Sequence, residues 1–195
     1  MQRKKTKKIF VGNVAVGGDS NITVQSMTNT ITKDVKSTVN QIKRLEDAGC
    51  DIIRSAITNL EDAKAIGEIK RQINIPFIAD IQYDYKLAIA AVENGCDCLR
   101  INPGNIGSEI KVREVVNACK EKEVPIRIGT NSGSIKKEFL EKYNGVNENS
   151  LVYSTLEQIR LLENMGFYNM KLSLKASSVP LTIKSYEMIS KLVDY

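Results

Sequence analysis

Nine polar side chains in this sequence are placed where chemistry could be done: Gln25, Arg54, Asp80, Gln82, Arg100, Asn102, Arg127, Asn131 and Lys175. Each falls at the C-terminal end of a short run of β-branched and apolar residues, and four of them are cations. Like charges gathered on a half-buried rim repel one another unless something anionic neutralises them. The expected ligand is therefore a polyanion. The planar fork of arginine pairs bidentately with phosphate oxygens, and each charge-assisted hydrogen bond is worth roughly 1.5–3 kcal/mol. Three arginines and a lysine exceed what one carboxylate needs; a diphosphate, or two phosphates, fits the count. Asn102 and Asn131 add amide donors, and Asp80 offers an acceptor for the hydroxyls of a polyol portion. No comparable reacting pair is evident. The chain has no His, so neither a Ser-His nor a Cys-His pair can form and the usual group titrating near neutrality is missing. The constellation reads as a binding site.

The elements that must carry these residues alternate. Strands are expected over residues 21–27, 51–56, 76–82, 98–102, 125–131 and 169–175, and helices over 34–48, 60–72, 86–93, 109–120, 150–165 and 181–193. In the first helix Val35, Val39, Ile42 and Leu45 recur on one face, and Gly49, Gly95 and Gly166 stand at C-cap positions. The segment AGCDIIR at 48–54 is echoed by NGCDCLR at 94–100, with a fainter copy at 166–171, as any repeated helix-cap-strand unit requires. A helix after every strand forces parallel pairing with right-handed crossovers, in an open doubly wound sheet or a closed barrel. No Gly-x-Gly-x-x-Gly turn follows the first strand, which argues against the open dinucleotide-binding fold. The fold class is α/β, a (β/α)8 TIM-type barrel with about six βα units present. A complete barrel takes about 250 residues, so the 195-residue chain is read as a fragment ending before closure.

Composition excludes several other classes. With 42% hydrophobic and 26% charged residues the chain is neither disordered nor fibrous. No apolar run is long enough to span a bilayer and no signal-type core follows the N-terminus, so the protein reads as soluble and cytoplasmic. The net charge of +5 is all in Arg3, Lys4, Lys5, Lys7 and Lys8, which without interleaved aromatics read as a solvated leader rather than a nucleic-acid stripe. Cys50, Cys96, Cys98 and Cys119 lack metal-ligand spacing and read as buried small hydrophobes. The glycine-rich loops at 102–107 and 129–134 could turn backbone N–H groups toward an anion, although neither has Walker A spacing.

Five blocks in order carry a resemblance: VQSMTNT at 24–30, ADI at 79–81, RINPGNIG at 100–107, RIGTNSGS at 127–134 and KLSLKAS at 171–177. From about Arg3 to its end the chain closely resembles the IspG (GcpE) family of 4-hydroxy-3-methylbut-2-en-1-yl diphosphate synthases. The resemblance implies a (β/α)8 domain related in shape to pterin-binding synthases, which holds 2-C-methyl-D-erythritol 2,4-cyclodiphosphate. It places substrate contacts on Arg54, Arg100, Arg127 and Lys175, with Asp80, Asn102 and Asn131 beside them. It also implies a separate C-terminal domain with a [4Fe-4S] cluster, electrons from ferredoxin or flavodoxin, and a homodimer in which one subunit's cluster domain closes over the other's barrel. The activity would be a step of non-mevalonate isoprenoid biosynthesis.

Three departures accompany the resemblance. Gln82 stands where the family usually has His, and an amide can bond substrate but cannot carry a proton. A late-barrel strand with an acidic residue is expected beyond residue 195. None of the four cysteines matches the cluster motif, so no catalytic residue and no metal ligand is assigned here, and the fragment alone is expected to be inactive. Two other readings are a pterin-binding synthase or methyltransferase barrel, disfavoured by four Phe and seven Tyr with few near strand ends, and a non-catalytic binding or assembly module.

Overall fold

The computed structural model describes residues 4–195; Arg3 lies outside them. A small antiparallel hairpin, β1 (Ile9–Val11) and β2 (Val14–Val16), comes first. Six parallel strands follow in sequence order: β3 (Gln25–Met27), β4 (Ile52–Ala56), β5 (Phe77–Asp80), β6 (Cys98–Ile101), β7 (Ile126–Asn131) and β8 (Met170–Lys175). The intervening helices are α1 (Val35–Asp47), α2 (Leu60–Lys70), α3 (Tyr85–Glu93), α4 (Pro103–Ile106), α5 (Glu109–Glu121), α6 (Lys137–Lys142), α7 (Glu148–Asn164) and α8 (Val179–Ile189).

Helix starts are set by side chains that satisfy free backbone N–H groups: Asp34 accepts from Ser37 N, Asn59 from Asp62 N and Asn147 from Ser150 N. Helix ends use glycine in the left-handed region, at Gly49 (φ +90°), Gly95 (+85°) and Gly166 (+68°), as their C-cap placement requires.

Period-two alternation divides each strand between two faces. Ile53, Phe77, Ala79, Leu99, Ile101, Ile126 and Ile128 point outward into one continuous core with α1, α2, α3, α5 and α7. Ile52, Ile78 and Cys98 point inward and meet Val11, with Val14 and Val16 packed beside them. The hairpin is thus a plug at the N-terminal end of the strands.

Curvature is visible in one contact. In a flat sheet β3 and β7, four strands apart, would stand about 19 Å from one another. Yet Arg127 Nη1 donates to Gln25 Oε1 at 3.2 Å, so the sheet curls into an incomplete barrel with β3 and β8 as its edges.

Two sequence expectations change. The first expected strand, 21–27, forms only over Gln25–Met27, with Ile22 and Val24 exposed. The basic segment is not simply solvated. Lys4 pairs with Asp194 at 3.0 Å and donates to the Val193 carbonyl at 2.6 Å, Lys7 lies over the rings of Tyr168 and Tyr195, and Lys8 pairs with Asp19. Its ammonium groups find carboxylates, carbonyls and aromatic faces on the C-terminal segment and the hairpin's flank.

Candidate functional site

Two residues beyond the apolar floor, the same inward face turns polar. Arg54 follows Ile52, Asp80 follows Ile78 and Arg100 follows Cys98, while Arg127 pairs in register with Arg100. Asp80 is buried at the centre. Arg100 Nη1 donates to its Oδ1 at 3.1 Å, and Arg54 Nε stands 3.5 Å from its Oδ2. That second contact is an ion pair without hydrogen-bond alignment, since the buried Arg54 Nε finds no acceptor among the described residues. Arg127 is held from two sides, its Nη2 donating to Ser173 Oγ at 2.8 Å and its Nη1 to Gln25.

One carboxylate is shared by two guanidiniums and a third, Arg127, lies near enough to be repelled by both, so the cluster keeps an excess of positive charge. Burial, and then repulsion from Arg54 and Arg100, pulls the Arg127 pKa below the ordinary arginine value. The cation stays protonated, but at a cost that an anion placed among the three forks removes.

The nine expected residues do not all join this cluster. Gln25, Arg54, Asp80, Arg100 and Arg127 do. Asn102 is buried at the start of α4: its Oδ1 accepts from Gly104 N at 3.1 Å and its Nδ2 donates to Ser134 Oγ at 3.2 Å. Asn131 caps the 3-10 turn Ser132–Ser134, with the Ser134 hydroxyl accepting from its backbone N–H. Both asparagines organise the loops at the rim. Lys175 ends β8, paired in register with Asn131, and its side chain is exposed. Gln82 lies beyond the end of β5, lining a groove of about 200 Å³ with Ile57, Thr58, Tyr83 and Leu87, and makes no bond to the arginines.

Three residues were missed. Ser173 precedes Lys175 by two on the inward face and anchors Arg127. Gly129 lies under Arg100, whose Nη2 donates to its carbonyl at 3.4 Å. Lys171 pairs in register with Arg127, and its ammonium has no hydrogen-bond or ion-pair partner among the described residues. Burial lowers its pKa from the usual lysine value, and Arg127 adds to the effect. Strand period alone would have found all three once Arg127 was placed inward.

The opposite end of the strands offers a larger concavity, about 700 Å³, but acids and bases alternate along it at Lys8, Glu93, Asp97, Lys122 and Glu123. Among the described residues, the arginine end concentrates one sign of charge where this end mixes both.

The family model described as the GcpE TIM-barrel domain matches residues 6–195. The chain belongs to the GcpE family. Among curated relatives, the 4-hydroxy-3-methylbut-2-en-1-yl diphosphate synthase (flavodoxin) of Caldanaerobacter subterraneus subsp. tengcongensis is 55% identical over 193 residues, 99% of this chain and 54% of that protein. The proteins of the same name from Clostridium perfringens and Sulfurimonas denitrificans are 53% and 55% identical over 195 residues, 56% and 55% of their lengths. The GcpE chain thus spans about half the length of the curated relatives it matches. In fold it is similar to the 7,8-dihydropteroate synthase of Vibrio fischeri ES114, with a TM-score of 0.62 at 14% identity over 95% of this chain and 73% of that one.

An iron–sulfur cluster, which the resemblance implies for the family, does not fit the cysteines of this GcpE chain. Cys98 sits under the hairpin plug, whereas Cys96 and Cys119 are buried in the helical core. Burial pushes the Cys98 thiol up to about 11, partly offset by Lys171 and Arg127, and also raises Cys96 and Cys119. No group of three or more potential metal ligands gathers among the described residues. No helix among them is long and apolar enough to cross a membrane.

Proposed function

We propose that residues 1–195 are the N-terminal, substrate-gripping part of an IspG-type reductive dehydroxylase acting on 2-C-methyl-D-erythritol 2,4-cyclodiphosphate. The cyclic diphosphate is opened and a hydroxyl removed with two electrons and two protons, giving 4-hydroxy-3-methylbut-2-enyl diphosphate and water. The observation that carries the reading is the gathering of Arg54, Arg100 and Arg127, the first two sharing the carboxylate of Asp80, with a buried Arg54 donor left without an acceptor among the described residues.

The residues of this chain bind and orient. Arg127, tethered by Gln25 and Ser173, presents a fork fixed in direction. Arg100 and Arg54, bridged by Asp80, supply the rest of a diphosphate cradle that is built before ligand arrives, so little side-chain freedom is lost on binding. Lys175 and the capped loops at Asn102 and Asn131 form its rim, and Gln25 and Gln82 complete the contacts we assign to substrate. The electron-transfer part falls to a cluster domain on a further segment. Flavodoxin is the favoured donor over ferredoxin because the relatives' names specify it, and a homodimer joining cluster domain to barrel is the expected assembly.

Calorimetric titration tests the reading. The cyclodiphosphate should bind, and Arg127→Ala should weaken it by at least tenfold, about what one charge-assisted bond contributes. A pterin that binds while the cyclodiphosphate does not would replace this function with that of a pterin-binding barrel.

A further inference from the structure

Gly129 stands in the interior of β7, paired in register with Ser173 of β8, between fully buried Ile128 and Thr130. Glycine weakens a strand interior, since it adds backbone freedom and packs nothing. Conformation does not demand it: Gly129 is absent from the residues with positive φ, unlike Gly12, Gly49 or Gly95. What demands it is space. A Cβ built on Gly129 would lie 2.4 Å from Arg100 Nε, 2.8 Å from Nη2 and 2.9 Å from Cζ. The guanidinium of Arg100 lies across the backbone of β7 in the volume any side chain at 129 would occupy. From that position it reaches Asp80 with one nitrogen and the Gly129 carbonyl with another.

We propose that Gly129 is a positioning residue for diphosphate binding: its missing side chain is the slot that lays Arg100 flat on β7 and sets the orientation of its fork. This rests on the proposed function of the arginine cluster. The three atoms nearest the added Cβ all belong to the tip of one flexible side chain, Arg100. A methyl group at 129 therefore displaces Arg100 rather than the strand. The fold keeps its hydrogen-bond ladder, and the cradle loses one fork.

The test is a double-mutant cycle of Gly129→Ala and Arg100→Ala, with calorimetric titration of 2-C-methyl-D-erythritol 2,4-cyclodiphosphate and of inorganic pyrophosphate. Thermal melts and the Arg Nε–Hε NMR resonances are recorded for each variant. Gly129→Ala should weaken binding about tenfold to a hundredfold, the loss of one charge-assisted contact, and shift the Arg100 Nε–Hε signal. In the Arg100→Ala background the same change should weaken binding less than twofold. If Arg100→Ala leaves affinity unchanged, the function proposed for the cluster fails. If Arg100→Ala weakens binding but Gly129→Ala does not, or if the two losses add in full, the slot is wrong while the function stands. Should Gly129→Ala melt early, the double variant decides: recovery of the melt supports the slot, because Arg100 no longer fills it, and an equally early melt overturns it.

Discussion

The two halves of the barrel interior, two residues apart along β4, β5 and β6, do opposite work. Toward the N-terminal end, Ile52, Ile78 and Cys98 close on Val11 of the hairpin, so that burial there removes apolar surface from water and stabilises the fold. Toward the C-terminal end, Arg54, Asp80, Arg100 and Arg127 occupy the next inward positions, where burial is unfavourable for the charges it encloses. The comparison teaches that the same strands supply both layers. A short step in register changes a layer that folds the protein into one that awaits a ligand.

The largest change should come from removing the one carboxylate in the cationic layer. Asp80→Ala leaves Arg54 and Arg100 facing each other unpaired and should cost about 3–5 kcal/mol in denaturant unfolding. Added pyrophosphate should restore part of that loss, which a purely packing defect would not show. In the apolar layer, Ile78→Ala should cost about 2–4 kcal/mol and leave the affinity of the folded fraction unchanged. Equal losses of affinity from both variants would abolish the distinction between the layers.

Lys171 sharpens the comparison from the other direction. Lys171→Met should stabilise the ligand-free protein by about 1 kcal/mol, because it removes an unpaired, half-buried cation, while weakening pyrophosphate binding. The pH dependence follows from the same group. Its folded pKa is below the ordinary 10.5, so between the two values the unfolded chain holds more protons and unfolding free energy rises with pH. Subtracting the Lys171→Met curve isolates that rise from Tyr195, whose phenol burial and Glu163 shift upward and which acts in the opposite sense. The smallest expected effect is at the plug. Gly12→Ala, at φ +55° and with a Cβ 3.1 Å from Pro76, should lower stability by about 1 kcal/mol without touching affinity.

Much of this could be read before any coordinates. The βα alternation was legible because each unit repeats a helix, a glycine cap and a β-branched strand, and the echo of 48–54 at 94–100 marks two consecutive ones. The inward arginines were legible because they terminate apolar runs. The hairpin was not, since two three-residue strands carry little periodicity, although Gly12-Asn13 between Ile9–Val11 and Val14–Val16 is a turn signal for a two-residue hairpin. Residue type alone did not separate the charged cluster from its rim. Asn102 and Asn131 have the donors for a phosphate and also suit loop capping, and only the fold brings Ser134 to both, where its hydroxyl accepts from the Asn102 side-chain amide and from the Asn131 backbone N–H. Lys175 drew attention as the last cation of its strand, whereas Lys171, four residues earlier on the same face, is the one enclosed beside Arg127. Gln82 fell outside because β5 ends at Asp80, and the alternation that would have turned it inward ends there too.

The central claim, that this end of the barrel is a diphosphate cradle, is tested most directly by titrating the chain and its Arg127→Ala variant with 2-C-methyl-D-erythritol 2,4-cyclodiphosphate in parallel. Binding should be saturable, at least tenfold weaker in the variant, and weaker as salt is raised. Binding of equal affinity in both proteins, or no binding by a chain shown to be folded, would contradict it.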